Sequence, residues 1–86
     1  MNLMSGFAAL LDEKLLRLLR VLYTKKDTLF HLTKLAAEAN VPASTAMRLL
    51  KQLTDSGLVS IHPVGKIRIY AYKQNEENDV LMRMLQ

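Results

Sequence analysis

Asn40–Val59, NVPASTAMRLLKQLTDSGLV, divides into a turn, a helix and the entry to a strand. Asn40 tolerates the left-handed backbone that ends a preceding helix. Pro42 fixes φ at the mouth of a new helix, and Ser44 and Thr45 follow in its first turn. From Ala43 to about Asp55, Ala46, Leu49, Leu50 and Leu53 recur at i, i+3, i+4 and i+7, which is one helical face. The opposite face carries Ser44, Met47, Arg48, Lys51 and Asp55. Ser56-Gly57 stops the helix, with Gly57 free to take positive φ. A helix with a wet face of hydroxyl, Arg and Lys, entered by a short turn from another helix, suits the DNA major groove.

His31–Val59 resembles the helix-turn-helix of winged-helix transcriptional regulators, a prokaryotic group, and most closely the DNA-binding domain of the IclR type. The resemblance rests on Leu35-Ala36, Val41-Pro42, Ser44-Thr45, Arg48-Leu49-Leu50, Leu53 and Gly57-Leu58-Val59. MarR-like and ArsR-like regulators share the frame. Two departures stand out: Asn40 replaces the usual Gly, and 86 residues leave no room for the ligand-sensing domain of IclR-type proteins. No small-molecule effector is therefore expected. The resemblance implies an α+β winged helix-turn-helix with a three-helix core, a two-stranded β-wing and an additional C-terminal helix.

The length fits one domain, residues 1–86, with a single core of modest size. The absence of cysteine excludes disulfides and thiolate metal sites. The formal charge of +4 is unevenly spread. Residues 41–73 carry five basic side chains (Arg48, Lys51, Lys66, Arg68, Lys73) against one acidic (Asp55). That segment suits a phosphate backbone, although solvated surface lysines are common in any protein. The start, MNLMSGFAALL, has no basic leader and is too short to span a bilayer, so a cytoplasmic, nucleoid-associated protein without membrane contact is expected.

About Phe7 to Tyr23 reads as a helix with an unusually wide apolar surface. Glu13, Lys14, Arg17, Arg20 and Thr24 form one polar stripe, and leucines cover most of the rest. Such a helix either sits deep between neighbours or buries one side on its own core and one on a second subunit. In so small a chain the dimer is favoured, with Leu15, Leu18, Leu19 and Leu22 at the interface within residues 1–24, and Leu3, Met4 and Phe7 extending it. A short strand is placed within Leu29–Leu32, before a helix from Leu32 to Ala39 capped by His31 or Thr33.

Val59–Lys73 reads as a hairpin, within a wing spanning 58–73. Val59 and Ile61 alternate, as do Ile67, Ile69 and Ala71 against Arg68, Tyr70 and Tyr72, with Pro63-Val64-Gly65-Lys66 as the turn. Residues 75–86 form a last helix capped by Asn75 or Asn78, acidic at its start, with Leu81, Met84 and Leu85 needing a partner and expected at the same dimer interface as the first helix.

No enzyme signature is present: no phosphate-binding glycine loop, no GxSxG, no HExxH. No catalytic residue, cofactor or metal is expected. The expected function is sequence-specific binding of double-stranded DNA as a homodimeric transcriptional regulator. Ser44 and Thr45 would contact phosphate or base edges, and Met47, Arg48 and Lys51 would enter the major groove with Gln52 at its flank. Lys66 and Arg68 on the wing would hold the flanking backbone. Two other uses of the same fold stay open: a protein–protein interaction module, and an architectural or replication-associated DNA binder of low specificity.

Overall fold

The computed structural model describes residues 12–85. The elements are α1 (Glu13–Thr24), β1 (Phe30–His31), α2 (Leu32–Ala39), α3 (Ala43–Asp55), β2 (Val59–Val64), β3 (Ile67–Tyr72) and α4 (Glu76–Leu85). The strands form one antiparallel sheet in the order β1-β3-β2, so the wing is β2 and β3, with β1 as a third strand along β3.

Asp12 starts α1, its carboxylate accepting from the backbone N–H groups of Lys14 and Leu15. The element it opens runs from Glu13; the earlier part of the stretch from Phe7, with Leu3 and Met4, lies outside the described residues. Both helices of the central motif end alike. After α2, Asn40 takes left-handed geometry (φ 56, ψ 51), Val41 N–H donates to the Ala36 carbonyl and Asn40 N–H to that of Ala37. After α3, Gly57 (φ 85) repeats the arrangement, with Leu58 N–H donating to Leu53 and Gly57 N–H to Thr54. These paired bonds satisfy terminal carbonyls and turn the chain sharply. Val41 and Leu58, the residues just past each turn, are themselves buried.

Arg17 locks the first turn to α1. Its Nε and one Nη donate to the carbonyls of Ala39 and Asn40, both at 3.0 Å, placing a cation at the negative end of α2. Beneath it the core joins Leu15, Leu18, Leu19 and Leu22 of α1 to Leu35 and Ala36 of α2, Ala46, Leu49, Leu50 and Leu53 of α3, and Phe30, Val59, Tyr70 and Tyr72 of the sheet.

The four leucines of α1 expected at a subunit interface are thus in the protomer's own core, Leu18, Leu19 and Leu22 at 0% exposure and Leu15 at 1%. They cannot reach a second subunit. The wide apolar surface of α1 is divided instead: these four face inward, and Leu16, Val21 and Tyr23 remain half-buried.

The wing also differs from expectation in its turn. β2 runs through Pro63 and Val64, and only Gly65 and Lys66 connect it to β3. Gly65 takes φ 62 at the first central position, the demand of a tight two-residue hairpin. Pro63 is accommodated because β2 is an edge strand.

Asn75 starts α4, its side-chain oxygen accepting from Asn78 N–H at 2.8 Å. The buried Asn78 amide donates to the carbonyls of Gly57 and Lys73, and Met82 enters the core. Tyr72 donates its hydroxyl to Asp79 at 2.7 Å while its ring meets Tyr23 edge to face. Burial, together with that bond to Asp79, pushes the Tyr72 hydroxyl's ionisation above its ordinary range.

Candidate nucleic-acid interface

The stripe that buries Ala46, Leu49, Leu50 and Leu53 leaves the other side of α3 in solvent. Ser44, Met47, Arg48, Lys51, Gln52 and Asp55 are exposed there, and Thr45 is half-buried. Pro42 enters the helix in extended geometry (φ −57, ψ 142), and no side chain caps its first turn. The N–H groups at the start of α3 thus have no side-chain partner at the positive end of the helix dipole.

Strand register decides which wing residues face this helix. Ile61 pairs with Tyr70 and Pro63 with Arg68, and with a period of two these share the inward sheet face with Val59 and Tyr72. Near the hairpin tip that face has passed beyond the core, so Arg68 emerges beside α3. The result is a cleft of about 410 Å³ lined by Ser44, Met47, Arg48, Lys51, Thr54 and Asp55 from the helix side and Ile61, Arg68 and Tyr70 from the wing. Lys66 sits apart at the exposed turn, and Gln52 and Thr45 lie off the cleft. Ile61, Tyr70 and Thr54 were not singled out beforehand as lining residues; the pairing of Ile61 with Tyr70 follows once the hairpin turn is shortened to two residues.

Among the described residues Arg48, Lys66 and Arg68 have no ion pair, whereas Lys51 meets Asp55 at 3.1 Å. Both partners of that pair are largely exposed, so it contributes at most about 1 kcal/mol and is readily exchanged for a phosphate. The arrangement gathers cations from two elements around an apolar floor. Among the described residues no group of His, Asp or Glu side chains is placed to hold a metal ion. No helix among them is long and apolar enough to cross a membrane.

Residues 13–62 match the IclR helix-turn-helix domain family. Solved structures of the same fold include HlyU from Vibrio cholerae, 20% identical with a TM-score of 0.72, covering 99% of this chain and 94% of that one. A fragment of Mb0332 from Mycobacterium bovis is 23% identical (TM-score 0.72), covering 92% of this chain and 69% of that one. It is described as a homodimeric winged helix-turn-helix DNA-binding domain and a possible ArsR-family transcriptional regulator. AF1382 from Archaeoglobus fulgidus is 19% identical (TM-score 0.71), covering 88% and 86%. No curated protein matches the sequence. The uncapped helix, the wing beside it and the family match over more than half the chain lead to one assignment: this chain belongs to the IclR helix-turn-helix family of DNA-binding regulator domains.

Proposed function

We propose that the chain binds duplex DNA sequence-specifically as a homodimer and regulates transcription. The observation that carries this is the cleft in which Arg48 and Lys51 of α3 meet Arg68 of the wing. α3 enters the major groove, with Arg48 placed to address a guanine edge and Lys51 a base edge or phosphate. Ser44, Thr45 and the free N–H groups at the helix start bind phosphate, and Gln52 approaches the flank. Lys66 reaches the neighbouring backbone, while Arg68 acts closer to the helix than the hairpin tip. The test is selection from a random duplex pool. A palindromic consensus is expected; featureless recovery would favour a low-specificity binder, and no recovery a protein-interaction module.

The wing has its own readout. Replacing Lys66 and Arg68 together by Ala lowers the slope of log affinity against log salt by about one to two units, because each phosphate contact releases roughly one counterion. The base preferences set by α3 stay the same. An unaltered slope would remove the wing from the interface.

The homodimer rests on the outer side of α4, where Met84 is 76% exposed and Val80 is exposed. Leu81 and Leu85, expected at the same interface, pack instead against the protomer's own core on the face of Asn78 and Met82. Two large apolar side chains one turn apart on the outer side of a ten-residue helix call for a cover. A second copy across a two-fold axis supplies it and sets two α3 helices about one DNA turn apart. The homodimeric state described for the Mb0332 fragment favours this arrangement. Cutting α4 away would also remove Met82 and Asn78 from the protomer's core, so substitution is the sharper test. Val80→Glu with Met84→Glu weakens the dimer by about tenfold or more and costs affinity for a full palindrome beyond that for a half-site. Light scattering that finds the unaltered protein monomeric at high micromolar concentration would overturn the dimer.

A further inference from the structure

Met47 is the chemical exception on the outer side of α3. It is 54% exposed, one large apolar side chain among Ser44, Arg48 and Lys51, and it lines the cleft to the wing. Core packing does not account for it, because the buried stripe of α3 lies on the opposite side. In the major groove the apolar feature of the base edges is the C5-methyl of thymine; the others are hydrogen-bond donors and acceptors. A thioether side chain laid against guanine O6 and N7, or the amino group of cytosine or adenine, would strip water from polar atoms without replacing the bond. Against a thymine methyl it loses nothing and buries apolar area on both partners. Met47 is also long and unbranched, so it can reach past its own helix turn. Its neighbours on the same face, Ser44 three residues before and Lys51 four after, flank it along the groove.

We infer that Met47 is a specificity residue that reads the methyl group of a thymine, one in each half-site. This rests on the DNA-binding reading above and names the chemical group its recognition helix selects.

The test uses the full chain and the duplex recovered from the random pool. Each thymine is replaced singly by deoxyuridine, which keeps the pairing and polar edges and removes only the methyl. With unaltered protein, one thymine per half-site is expected to lose about fourfold in affinity, the value of one buried methyl-sized group. Met47→Ala binds the thymine and uracil forms of that position alike, and its thermal melt is unchanged because the side chain is outside the core. An enriched site indifferent to uracil at every thymine overturns the inference while leaving DNA binding intact. Uracil sensitivity that persists in Met47→Ala overturns it too, since another residue then reads the methyl. A pool with no enriched sequence overturns the inference together with the reading beneath it.

Discussion

Leu19→Ala is expected to destabilise the folded chain by about 2–5 kcal/mol, as fully buried leucines do when the site cannot collapse around the cavity. Leu19 is wholly enclosed by the core shared among α1, α2, α3 and the sheet. In a domain this small such a loss is a large part of the total stability and lowers the melting temperature by about 4–8 °C for each kcal/mol. Urea titration followed by circular dichroism measures it, repeated at two protein concentrations far apart. A core residue gives the same loss at both. A residue at a subunit contact would give a loss that shrinks as association is driven by concentration. A change below about 1 kcal/mol would contradict the core assignment outright.

Arg48→Ala is expected to weaken binding to the preferred duplex by roughly 1–3 kcal/mol, about five- to 150-fold, and to relax selectivity at one position of each half-site. Arg48 is exposed and has no ion pair among the described residues, so its removal leaves no protein group stranded. Binding isotherms on the consensus and on single-base variants separate two roles. Loss confined to one position marks base reading; equal loss on every sequence marks a phosphate contact. If the folded variant binds the consensus as tightly as before, α3 is not the reading helix.

The signals that could be read from the chain were local ones. α2 and α3 end where Asn40 and Gly57 indicate, because left-handed termini leave a mark within two residues. The buried face of α3 follows from spacing alone, since helical geometry puts Ala46, Leu49, Leu50 and Leu53 on one side. The destination of the α1 leucines was not legible in this way. Apolar periodicity says that a side is covered but does not distinguish the protomer's own helices from another copy's. Pro63 misled for a different reason: proline usually marks a turn, yet on an edge strand its missing N–H is tolerated, and the hairpin closes two residues later. Arg68 could be placed near the tip but not beside α3, because its direction depends on the register of β2 against β3. Within the candidate site, the helical face was thus apparent in advance, and the wing's share of the cleft was not.

The guanidinium of Arg17 makes the first helix and the turn before α3 a single lever. Two bonds span 22 and 23 residues of chain to hold the carbonyls of Ala39 and Asn40 against α1. A rotation of α1 is therefore transmitted to the pivot from which α3 projects, with little slack for the turn to absorb. In the dimer proposed above, the spacing between the two α3 helices becomes a matter of subunit gearing rather than loop compliance. Lysine at position 17 could hold one carbonyl but not fork between two, so the charge would survive and the stiffness of the coupling would not.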